Sequence, residues 1–93
     1  EAYDPSSNTW TTKASLTTPR YGPGVAAVNG ILYAVGGYNN SGSLATVEAY
    51  DPAANTWTMK ASMAAARSGF AVVAINGMLY AVGNLATVEA YQP

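Results

Sequence analysis

EAYDPSSNTWTTKAS, residues 1–15, returns as EAYDPAANTWTMKAS at residues 48–62 and begins a third time as EAYQP at residues 89–93. Without gaps, residues 1–36 match residues 48–83 at 23 of 36 positions, and LATVEAY at residues 44–50 recurs unchanged at residues 85–91. The first period is 47 residues. Self-similarity at such a period marks stacked supersecondary units, each unable to bury its own apolar face alone.

The content of one period follows from its spacing. No segment carries a helical 3.6-residue pattern long enough for an amphipathic helix, whereas short apolar runs alternate with turn signals, so the unit reads as all-β. GVAAV (24–28) and FAVVAI (70–75) are continuous runs of small and β-branched residues, as expected of strands buried on both faces. They are placed innermost. Each is followed by Asn-Gly (29–30 and 76–77), which tolerates the two positive φ angles of a type I′ turn, so a second strand folds straight back as ILYAVG (31–36) or MLYAVG (78–83). Tyr33 shares a face with Val35, and Tyr80 with Val82, available to fill the gap to a neighbouring unit. ATVEAY forms a third strand ending at Asp51-Pro52, a turn signal, and a fourth begins near Trp57, or near Trp10 in the first copy. Tyr and Trp lie seven residues apart in both copies, so the turn between them is expected to bring two large aromatics together between adjacent blades.

An Arg before the inner strand, Asn-Gly, LYAVGG (32–37), VEAYDP and NTW in this succession resemble the kelch repeat over essentially the whole chain. The resemblance implies four-stranded twisted blades around a central channel, commonly in proteins that bind other proteins or small ligands. Two departures are visible. Asn84 stands where the second Gly belongs, and the connection after it is six residues shorter, YNNSGS (38–43) having no counterpart.

The expected fold is therefore all-β, with two four-stranded antiparallel kelch-like blades that complete a propeller by oligomerisation. Residues 1–19 supply the third and fourth strands of a blade completed by a neighbouring chain, residues 20–60 a complete blade, and residues 61–93 the first to third strands of another. A lone pair of blades exposes apolar faces and sheet edges. Propellers close with about 4 to 8 blades, and by analogy with kelch rings a homotrimer with six blades is favoured. Residues 87–91, longer than Glu1–Tyr3, should win the third-strand place on hydrogen bonds, which leaves the first few residues loosely held. The rival reading is an excerpt of a longer propeller. Unequal loops favour a natural origin, while the internal identity favours recent duplication or deliberate design.

Composition narrows the function. There is no cysteine and no histidine, which removes thiolate ligands, the commonest metal ligand and the commonest general base, and no cofactor is expected. Four basic against five acidic residues leave a net charge of -1, with no basic patch for nucleic acid. The apolar run of residues 70–75 falls far short of the roughly 20 residues of a membrane-spanning helix, so no membrane partner is expected. All charged residues occupy repeat-equivalent positions, whereas an enzyme site needs unlike groups converging on one place. The expectation is a non-catalytic interaction module, with a purely structural or designed self-assembling repeat as the alternative and a sugar isomerase-like kelch enzyme as a distant one.

Four residues are candidate ligand contacts. Arg20 and Arg67 precede the inner strands, near the channel mouth by kelch resemblance, and suit bidentate recognition of an anion or acidic peptide. The competing reading is an ion pair with a carboxylate of the same or the neighbouring blade, for which Glu48 and Glu89 are available. Tyr38 and Asn39 lie in the polar loop unique to one blade, where a rigid scaffold would present binding groups. A tolerated insertion explains that loop equally well.

Overall fold

The computed structural model describes all 93 residues and contains eleven strands. They are β1 (Ala2–Asp4), β2 (Thr9–Thr11), β3 (Gly24–Val28), β4 (Ile31–Val35), β5 (Tyr38–Asn39), β6 (Gly42–Ser43), β7 (Val47–Asp51), β8 (Thr56–Lys60), β9 (Ala71–Ile75), β10 (Met78–Gly83) and β11 (Leu85–Tyr91). Every pairing is antiparallel. One sheet has four strands in the order β3-β4-β7-β8, and another has three in the order β11-β10-β9. β1 and β2 form a separate hairpin, as do β5 and β6.

Local chemistry accounts for the folding back of each unit. Asn29 and Asn76 take φ of 51° and 50°, and Gly30 and Gly77 take 78° and 80°, the double positive pair that matches the right-handed twist of the flanking strands. At the far end of the third strand, Asp51 Oδ1 accepts from Ala53 N at 2.9 Å, and Asp4 repeats the turn with Ser6. The Asp-Pro pair is turn chemistry in both copies.

The core lies between the two larger sheets rather than inside either. Val28, Tyr33, Val35, Val47 and Ala49 present one face of the four-stranded sheet to Leu79 of the next, with Val72, Phe70 and Tyr91 packed around them. Tyr33 meets Tyr91 edge-on, centroids 6.3 Å apart. Contact is closest at the inner strands, where a Cβ on Gly24 would collide with the Val72 side chain. Backbone bonds reinforce the seam: Gly37 N donates to Arg67 O at 2.8 Å, Arg67 N to Leu44 O at 3.0 Å and Met63 N to Ala45 O at 2.8 Å. Gly36 allows this approach, because at φ 61° a Cβ would lie 2.7 Å from Arg67 O.

Both departures from the repeat have a structural resolution. Asn84 adopts φ 63°, which Asn tolerates better than most side chains, and its Nδ2 donates to Ser68 O at 2.6 Å. The extra six residues of the first blade fold as the β5–β6 hairpin, and Tyr38 exchanges backbone hydrogen bonds with Tyr21 at 2.8 and 2.9 Å.

The N-terminal hairpin stands apart from this core. Its register sets Tyr3 opposite Trp10, rings 5.2 Å apart, yet every residue of both strands is exposed. Glu1 to Tyr3 is therefore not simply loose: residues 2–4 pair with residues 9–11 on the same hairpin, while β11 takes the third place in its sheet.

Candidate functional site

The segment entering the first complete blade wraps onto the third strand of that blade. Arg20 Nη2 reaches Glu48 Oε2 at 2.7 Å, with both side chains 0% exposed. Its Nη1 donates to Gly36 O at 2.8 Å and Thr46 O at 2.9 Å. Glu48 collects more donors from the same segment: Thr17 N at 2.8 Å, Thr17 Oγ1 at 2.6 Å and Thr18 N at 3.2 Å. A carboxylate thus ties together a guanidinium and two backbone N–H groups, the charge-assisted bonding that makes burial of an ion pair tolerable.

The clasp recurs one period later. Arg67 Nη2 lies 3.3 Å from Glu89 Oε2, and Glu89 accepts from Ala64 N at 2.6 Å and Ala65 N at 3.2 Å. It is looser, with Glu89 22% exposed and Arg67 Nη1 3.4 Å from Gly83 O. In each arginine the Nε is buried without a partner.

Burial pushes the Glu48 carboxyl up, but the bonds from Thr17, Arg20 and Thr18 outweigh it and hold Glu48 below its ordinary 4.5. The Ala64 N–H, acting against burial and joined by Ala65 and Arg67, does the same for Glu89. A carboxyl depressed on folding contributes stability above its unfolded value and loses it as pH falls through the folded one. The thermal midpoint is therefore expected to stay flat near neutrality and to fall steadily below about pH 5. Glu48→Gln should be less stable at neutral pH and should show a shallower fall, as read by circular dichroism melts across pH. An identical acid profile in the variant would exclude Glu48 as a main contributor.

The two candidate arginines are thus inside the protein, each on its own carboxylate, and are not brought together. The anion beside Arg20 is Glu48. The other two candidates, Tyr38 and Asn39, are neighbours at the surface. Tyr38 is 48% exposed and Tyr21 64% exposed, their rings 5.6 Å apart and inclined at 32°. With Pro19, Asn39, Asn40 and Ser41, Tyr21 lines an open groove. Asn39 spends its side-chain oxygen on Ser41 N at 2.8 Å, holding the tight turn of β5–β6.

Sequence reasoning missed Thr17 and Thr18 as partners of Glu48. No side-chain signal could have found them, since the equivalent donors to Glu89 are Ala64 and Ala65, and what serves in both copies is the backbone N–H. It also missed Asn55, at φ 54°, whose Oδ1 accepts from Tyr50 OH at 2.6 Å and from Ala14 N at 3.0 Å. The repeated NTW beside the Tyr was the available sign.

An exposed apolar surface lies on the outer side of the three-stranded sheet. Ile75, Val82 and Val88 are 53%, 42% and 58% exposed, whereas their repeat equivalents Val28, Val35 and Val47 are 7%, 4% and 3% exposed against the next blade. Val73, 47% exposed, extends the same face.

Comparison with known proteins agrees with this architecture. Residues 19–64 match the Kelch motif. A 48-residue stretch is 44% identical to Kelch-like protein 7 of Rattus norvegicus, covering 52% of this chain and 8% of the relative. Another of 47 residues is 47% identical to Kelch-like protein 1 of Mus musculus, covering 50% of this chain and 6% of the relative. The chain therefore spans less than a tenth of the curated relatives it matches. The solved structure of YjhT aligns with a TM-score of 0.74 at 28% identity, over 82% of this chain and 24% of that one.

Proposed function

Because this chain belongs to the kelch-repeat proteins, we propose that it is a non-catalytic β-propeller interaction scaffold whose two-blade unit associates head to tail with further copies of itself. One observation carries the reading. The face of the first blade that buries Leu79 of the second recurs on the second blade, with Ile75 for Val28, Val82 for Val35 and Val88 for Val47, and these three are exposed there. Leu32 is the repeat equivalent of Leu79 and lies on the opposite side of the first blade, so the bare face of one copy suits the Leu32 side of another.

Such an interface is heterologous, and heterologous interfaces close into rings when the rotation per unit permits. Three chains would give six blades, within the range over which propellers close. The contact between copies cannot be a perfect repeat of the internal one. Ala71 replaces Gly24, so its methyl holds the inner strands slightly further apart than Gly24 and Val72 allow within the chain.

Ligand contact in this scaffold falls to the Tyr21, Tyr38 and Asn39 surface, with exposed aromatic faces and amide groups suited to a protein segment or a small polar ligand. An anionic ligand at the arginines is disfavoured, because Glu48 and Glu89 already occupy them. Mass in solution, measured by light scattering over a range of concentrations, tests the association. The expected value is three times the 9.6 kDa of one chain. A folded species that stays at one chain's mass at every concentration overturns it.

A further inference from the structure

The β5–β6 hairpin and the segment leading into β3 bound an open groove of about 270 Å³, lined by Pro19, Tyr21, Asn39, Asn40 and Ser41. Two backbone hydrogen bonds join Tyr21 to Tyr38, at 2.8 and 2.9 Å, so the two sides are held together by strand pairing and not by side chains alone. All five lining residues belong to one blade and the segment entering it, and the groove is complete within them.

The two sides differ in chemistry. Pro19 and Tyr21 make one of them apolar, with Tyr21 64% exposed and its ring backed by that of Tyr38. Asn39, Asn40 and Ser41 make the other from amides and a hydroxyl. No charged side chain lines the groove. Arg20 lies between the two apolar residues in sequence, yet its guanidinium turns inward onto Glu48 and is 0% exposed. A charged ligand therefore finds no counter-ion here. At Asn39 the hydrogen-bonding capacity is one-sided: Oδ1 already accepts from Ser41 N, which leaves Nδ2, a donor, as the free group.

The matching partner carries flat apolar rings beside carbonyl acceptors, with few N–H groups of its own. Proline has all three properties: a pyrrolidine ring, a carbonyl and no N–H. A saccharide brings hydroxyl donors in equal number to its acceptors, and would need an acceptor where the Asn39 oxygen is already engaged. We infer that the groove takes a proline-rich segment of a partner protein in the polyproline II conformation. One proline ring stacks on Tyr21, and the adjoining carbonyl accepts from Asn39 Nδ2. Polyproline II forms without internal hydrogen bonds and is populated before binding, so little ordering entropy is lost even on a shallow surface. The inference rests on the ligand contact proposed above for the Tyr21, Tyr38 and Asn39 surface and adds the class of partner.

Titration of the isotopically labelled chain with synthetic decaproline, read from backbone amide resonances, tests it. Saturable shifts are expected at residues 19–22 and 38–43, and none with a glycine-serine peptide of equal length. Tyr21→Ala removes the apolar side at an exposed position while the backbone bonds to Tyr38 remain, and should weaken binding at least about tenfold. The amide spectrum of the free variant verifies that it is folded. Decaproline that gives no saturable shift, or that binds folded Tyr21→Ala protein as tightly as the parent, overturns the inference. Maltohexaose is titrated alongside. If it alone moves these resonances, the class of partner is wrong and the ligand surface stands; if neither probe moves them, both fall.

Discussion

Arg20→Ala is expected to lower the unfolding free energy by about 3–5 kcal/mol, the cost of leaving a buried charge without its partner. Glu48 sits at 0% exposure on a central strand, so its charge has no water to turn to when the guanidinium is removed. The loss is compounded because Arg20 also donates to Gly36 O and Thr46 O, the carbonyls where the second and third strands part. Small domains hold about 5–15 kcal/mol in total, so the variant would be largely unfolded in modest denaturant. Arg67→Ala removes the same group from a looser clasp, with longer bonds and a partly exposed carboxylate, and its cost should be clearly smaller. Urea titrations of the two variants make the comparison, reading the shift in midpoint at constant slope. A loss under about 1 kcal/mol for Arg20→Ala, the value of a surface pair, would overturn the structural role given to the clasp.

The arginines also show how far the residues could be read before their surroundings were known. Their recurrence at one repeat position was visible, and so was the presence of a carboxylate to match each. Whether the anion would come from the same chain or from a ligand depended on the path of residues 12–20 over the blade, and that path is set by backbone donors at Thr17 and Thr18 that no residue type announces. Strands were more legible. Asn-Gly and Asp-Pro carry their geometry in their own covalent structure, so the turns at Asn29 and Asp51 could be placed by residue type alone. The hairpin of residues 38–43 was less so, because its order comes from Tyr21, seventeen residues earlier in the chain. The aromatic pairs were found by spacing, whereas the Asn that binds each Tyr hydroxyl was hidden by its ordinary role as a turn residue.

Under the head-to-tail association proposed above, Val88→Asp is expected to leave each chain folded and to bring the mass in solution down to the 9.6 kDa of one chain. Val88 is 58% exposed in the single chain, so a carboxylate there costs the folded chain little. In the associated form the same position would lie against the neighbouring blade, as Val47 lies at 3% exposure in the internal contact. Burial of a valine contributes about 1.5–3 kcal/mol, and an unpaired charge in its place reverses the sign, so each contact should weaken by a hundredfold or more, on the order of ~3 kcal/mol. A closed ring suffers this at every interface at once. Val47→Asp is the matched control: it places the same charge at the repeat-equivalent site inside the chain, where it should unfold the protein instead of merely separating copies. Mass by light scattering and secondary structure by circular dichroism, read together on the two variants, separate these effects. A Val88→Asp protein with the mass of the parent would show that this face is not where copies meet. It would then remove the ground for the ring, while leaving the two-blade architecture and both arginine clasps untouched.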